Sequence, residues 1–95
     1  MRPMERALLE TILDATNGID RGEGSTFEIE EEHRGSLYIG GENATTVLND
    51  LVRITLHDAY VEAEAKNRTL HCVVYGPIFG LAVKRPRDDG PRTGF

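Results

Sequence analysis

The sequence predicts a mainly β protein: one N-terminal α-helix, then a five-stranded antiparallel small barrel. Three observations carry this. Apolar residues recur at helical spacing only near the start of the chain. From Phe27 onward they alternate with polar residues in short runs separated by turn residues. The stretch from Thr69 to Pro86, T-L-H-C-V-V-Y-G-P-I-F-G-L-A-V-K-R-P, holds two such runs around Gly76-Pro77. Rolling the sheet into a barrel would remove its vulnerable edges, with the helix over one open end.

Pro3 to Thr16 reads as the helix. Met4, Leu8, Ile12 and Ala15 share one face, and Leu9 and Leu13 widen it into a stripe suited to docking on a core. Pro3 suits a first helical position, and Asn17-Gly18 is a stop. Ile19 to Ser25 reads as a connector. Its Gly22-x-Gly24 lacks the preceding strand and following helix that a phosphate loop needs.

Thr26 to Glu32 reads as the first strand, with Phe27 and Ile29 on one side and Glu28, Glu30 and Glu32 on a solvated face. His33-Arg34-Gly35 is a turn, and Ser36 to Ile39 returns with Leu37 and Ile39 inward. Glu42 to Asp50 fits a loop, a helical turn or a strand extension. Leu51 to Leu56 and Tyr60 to Ala65 both alternate, the second with Val61, Ala63 and Ala65 inward. His57-Asp58-Ala59 between them marks a bend or bulge in one long strand, with a tight hairpin as the other option. Lys66-Asn67-Arg68 is a turn. The two runs around Gly76-Pro77 complete the barrel, and Gly76→Val is expected to disrupt their turn. Residues 1–84 form a single domain, and Arg85 to Phe95, without periodicity, reads as a disordered tail.

Ninety-five residues support one modest core, and 39% apolar with 28% charged residues suits a globular chain. The net charge of −5 excludes broad, sequence-blind attraction to nucleic acid or anionic membrane. No apolar run reaches the roughly 18 residues of a spanning helix, so no membrane partner is expected. The lone Cys72 excludes an internal disulfide and, with no secretory signal, gives a cytoplasmic expectation.

No residue set carries catalysis. His33, His57, His71 and Cys72 are the only soft metal ligands, and adjacent His71 and Cys72 point to opposite faces of a strand. No metal site and no cofactor is expected, and Cys72 reads as a buried structural residue. A nucleophile set of His57, Asp58 and Cys72 has no surrounding Cys-centred pattern. The expectation is therefore a protein that is not an enzyme.

C-V-V-Y-G-P-I-F-G-L-A-V resembles the second signature of the Sm-like (LSm) small-barrel family, a strand, a glycine turn and an aliphatic strand. V-R-I-T-L-H-D-A-Y-V resembles the end of the first signature, and F-E-I-E-E-E-H-R-G-S-L-Y-I-G-G its opening hairpin. The likeness spans roughly Phe27 to Val83 and implies an Sm-like or SH3-like barrel. It also implies homo-oligomers joined edge to edge through the last two strands, Thr69 to Tyr75 and Ile78 to Lys84. In that family two loops bind single-stranded RNA. The corresponding positions here are Asn49, Leu51 and Arg53 in one and Tyr75 and Gly76 in the other, with Tyr75 standing where Arg is usual. The resemblance thus implies a non-catalytic oligomer that binds single-stranded RNA. The alternative is a protein–protein or structural adaptor, of viral or mobile-element origin, that binds no RNA.

Overall fold

The structure, a computed structural model, describes residues 3–85. Helix α1 (Arg6–Ala15) precedes strands β1 (Ile19–Arg21), β2 (Thr26–Ile29), β3 (Arg34–Gly40), β4 (Thr45–Leu56), β5 (Tyr60–Ala65), β6 (Leu70–Val74) and β7 (Ile78–Lys84). All seven strands belong to one curled antiparallel sheet. β4 is its spine. One edge of β4 carries β2 and β3 in succession, and the other carries β5, which in turn pairs with β6. β1 lies outside β2, and β7 lies outside β3.

The expected class is therefore present, but among the described residues five strands become seven and the barrel does not close. β6 and β7 are joined by the Gly76-Pro77 turn, yet neither pairs with the other. The roll is a half-barrel. Its core comprises Leu9 and Leu13 of the helix with Phe27, Leu37, Leu51, Ile54, Leu56, Val61, Ala63 and Ile78 of the sheet, all at or below 2% exposure.

Several elements differ from expectation. Pro3 lies outside the helix, which starts after an N-cap at Glu5. Leu9 and Leu13 form the centre of the buried stripe, while Leu8 is exposed. Ile19 is buried, and it draws the expected connector into a hairpin with β2. Glu42 to Asp50 resolves as a strand extension: β4 runs for 12 residues, and its first half forms an exposed arm with β3. His57-Asp58-Ala59 is the tight hairpin rather than a bend, closed by the His57 N–H donating to the Tyr60 carbonyl at 2.9 Å. The irregularity sits earlier, where register shifts on both sides of β4 fall between Leu48 and Arg53. Asp50 adopts φ +58° there, a left-handed conformation that Asp tolerates better than bulky residues.

Polar contacts fix the helix against the sheet. Arg6 donates to Asp58 Oδ1 at 2.6 Å and to Ser25 Oγ at 2.8 Å. Arg21 donates to Glu10 and to Asp14 while its guanidinium lies 5.0 Å from the Phe27 ring centroid. The Glu10 hydrogen bond, with the Asp14 charge, raises the Arg21 pKa. Gly18 is required where it stands. Its φ is +92°, and a Cβ there would meet the His33 ring at 2.7 Å.

Candidate interaction surfaces

The five residues named by the resemblance do not come together. Asn49 is exposed on the β4 arm, its Oδ1 accepting from Ser36 Oγ at 2.9 Å. Leu51 is 0% exposed, so it has no face on which a base could stack. Arg53 lies on the outer face between two carboxylates, 3.6 Å from Glu28 and hydrogen-bonded to Glu64. Tyr75 is buried, and its phenol donates to the His57 carbonyl at 2.6 Å. Burial raises the Tyr75 pKa, the Arg6 charge offsetting part of this. Asn49 lies on the β4 arm beside Ser36, whereas Tyr75 reaches the His57 carbonyl just beyond the other end of β4.

Gly76 corrects an expectation. It is outside the left-handed region, and a Cβ built on it meets nothing within 4 Å. The residue before a proline is pushed toward extended backbone, which suits a β-branched side chain. Val is compatible with that position.

Cys72 also departs from its expected place. It is exposed, together with Leu70 and Val74, on the outer face of β6. The inner face carries His71 and Val73, half-buried opposite Ala63 and Val61. The face assignment inverts because a strand apolar on both sides does not say which side turns inward.

Two unpaired strand edges bound the sheet on either side of the Gly76-Pro77 turn. Among the described residues β6 pairs only with β5, and β7 only with β3. The Ala65 N–H donates to the Thr69 carbonyl at 2.9 Å. By antiparallel alternation, the backbone groups of His71 and Val73 then face β5, and those of Leu70, Cys72 and Val74 face outward. The same edge exposes Leu70 at 56% and Val74 at 58%, and β7 exposes Phe79 at 57%.

A cleft of about 610 Å³ opens at the bend of β4. Its origin is a detour. β2 stays on β4 as far as Glu28 opposite Arg53, and β3 rejoins it at Gly35 opposite Leu51. The chain between them, Ile29 to Arg34, swings away and leaves a gap whose lining includes Ile29 and the half-buried Val52. Val52 has no register partner in either flanking strand. Around the gap stand Glu31 and Glu32 on the detour, Lys66 after β5, and Lys84 and Arg85 at the end of β7. His33, on the detour, turns its ring toward Gly18, with Nδ1 buried, without a hydrogen bond, and 3.9 Å from Glu30 Oε1. The charged wall was invisible in the sequence, because Arg34 and Lys84 become neighbours only through the β3–β7 register.

Among the described residues, no group of three or more His, Cys, Asp or Glu is placed to hold a metal ion, and no helix is long and apolar enough to cross a membrane. Comparison of the chain with protein-family models, curated proteins and solved structures finds no match.

Proposed function

We propose that the chain is a non-catalytic, Sm-like interaction module that assembles with copies of itself, β6 of one subunit adding to β7 of the next. One observation supports the reading above the others: the two strands that the resemblance assigns to assembly are, among the described residues, the unpaired edges on either side of the half-barrel opening. Outward backbone groups supply the ladder, and Leu70, Val74 and Phe79 supply apolar surface that a neighbour would cover.

Light scattering tests it. The wild-type chain is expected at a multiple of the monomer mass. Leu70→Asp with Val74→Asp is expected at monomer mass with its fold retained by circular dichroism. A wild-type monomer at high micromolar concentration would sink the proposal.

Binding of single-stranded RNA by the assembled module is the second reading. The exposed Asn49 amide favours it; the paired Arg53 and buried Leu51 and Tyr75 weigh against it. Titration with labelled U-rich and A-rich strands at low salt decides: a salt-sensitive response weakened by Arg53→Ala supports RNA binding, and flat curves remove it.

A further inference from the structure

The outer face where β3 lies between the β4 arm and β7 is uncharged, in a chain of which 28% of the residues carry charge. In register, Tyr38 stands between Val47 and Gly80, and Gly40 faces Thr45. Ser36 bonds Asn49 on the same face. Phe79 joins them at the register shift beside Tyr38, the two ring centroids 6.1 Å apart. Both rings lie against glycines: a Cβ on Gly40 would stand 3.6 Å from Phe79 Cδ1, and one on Gly80 would stand 3.7 Å from Tyr38 Cδ1. Rings laid over strand glycines shield the backbone there. Shielding alone does not require Phe79 to remain 57% exposed.

Hydrogen-bonding groups without partners surround the rings. Among the described residues the Tyr38 and Thr45 hydroxyls make no hydrogen bond, and Asn49 engages only Oδ1, leaving its amide N–H groups available. The β4 arm is also open along one edge. Its ladder to β5 begins at Leu51, so among the described residues Thr45 to Asn49 run beside β3 alone. The Gly41 N–H donates to the Ala44 carbonyl at 2.9 Å, which fixes the alternation. The backbone groups of Thr45, Val47 and Asn49 therefore point away from β3, off the edge of the sheet.

Size and charge select the occupant. Three strands by five residues make a face of about 14 by 13 Å, far below the roughly 800 Å² that each side of a standard protein interface buries. A nucleic-acid strand would need cations at its phosphates, and these residues supply none. An exposed ring with uncharged donors and acceptors beside it suits a ligand that has apolar C–H faces and a rim of hydroxyls.

We propose that this face binds a short neutral oligosaccharide, one sugar ring stacked on Phe79 beside Tyr38 and its hydroxyls held by Thr45, Asn49 and the free edge of β4. The site does not rest on the assembly proposed above. Because Phe79 is common to both surfaces, the test uses the wild-type chain and the Leu70→Asp, Val74→Asp chain in parallel.

The full chain is titrated with cellotriose, maltotriose and chitotriose and followed by backbone amide NMR shifts. At least one trisaccharide is expected to give saturable shifts confined to β3, the β4 arm and β7, in both chains, with the matching monosaccharide at least about tenfold weaker. Phe79→Ala should weaken binding about tenfold or more, while Phe79→Trp retains it. Asn49→Ala should weaken it about fivefold. Both positions are exposed, and unchanged thermal melts would establish that the fold persists. Saturable shifts that Phe79→Ala leaves unaltered would overturn the stacking role of the ring. A U-rich strand that moves these resonances when no trisaccharide does would overturn the proposal in favour of a nucleic-acid ligand, and no saturable response to any of the three sugars would overturn it outright.

Discussion

β5 and β6 lie side by side and pair in unbroken register from Tyr60 opposite Val74 to Glu64 opposite Leu70. Both alternate, yet they have different fates. β5 buries Val61, Ala63 and Ala65 completely or nearly so, and turns Glu62 and Glu64 outward. β6 buries none of its five residues fully, leaving His71 and Val73 half-covered and Leu70, Cys72 and Val74 exposed. β5 has a strand on each side and the core beneath, whereas among the described residues β6 has one neighbour and an open flank. Alternation therefore identifies a strand, but the position of that strand in the sheet decides how much of it is buried. Apolar residues left outside on an edge are surface available to a partner.

One substitution, moved across this pair, measures the gradient. Val61→Asp places an unpaired carboxylate in the core and is expected to cost about 4 kcal/mol or more, enough to unfold much of the population. Val73→Asp, directly opposite on the half-covered face, should cost about 2 kcal/mol. Val74→Asp should cost no more than about 0.5 kcal/mol and, if the proposed assembly forms, weaken it. Thermal and urea melts monitored by circular dichroism supply the values. Equal losses at Val61 and Val74 would break the comparison.

Tyr75, where β6 gives way to the turn, sharpens it. The buried phenol donates to the His57 carbonyl, so Tyr75→Phe should cost about 1 kcal/mol. Because burial raises the phenol pKa above its ordinary 10.0, the folded state holds the proton longer than the unfolded chain does. Its contribution is fully present below pH 10 and is lost as pH rises through the raised value. Wild-type stability should therefore fall more steeply in that range than that of Tyr75→Phe, as alkaline urea melts would report.

The smallest effect is expected at Gly76. With open space at the Cβ position and no left-handed φ, Gly76→Val should change stability by no more than about 0.5 kcal/mol. A loss above 2 kcal/mol would mean that the turn between the two edges is more constrained than its geometry indicates.

Much of the architecture could be read from the chain. Met4, Leu8, Ile12 and Ala15, widened by Leu9 and Leu13, marked the helix although only Leu9 and Leu13 are fully buried, and Val61, Ala63 and Ala65 marked an inward face, because each set repeats at its element's own period. β1 was hidden because three residues with one buried side chain, Ile19, make no period. The β4 extension was hidden for a related reason: its first half is almost wholly exposed, so no buried face imposed alternation on Thr45 to Asp50. The candidate surfaces were harder still. Leu70, Cys72 and Val74 look like core residues until the missing neighbour of β6 is known. The walls of the cleft are assembled by register and by a detour, neither of which leaves a local signature.

The two free ribbons are unlike: one bears Leu70, Cys72 and Val74, the other Phe79, Ala82 and Lys84. In the proposed assembly, growth by joining one kind to the other would be directional, like a chain of hooks and eyes, and would end by itself only if the turn between successive units brought the last hook to the first eye. A short synthetic peptide copying β6 would occupy every eye and no hook, acting as a chain terminator from a single end.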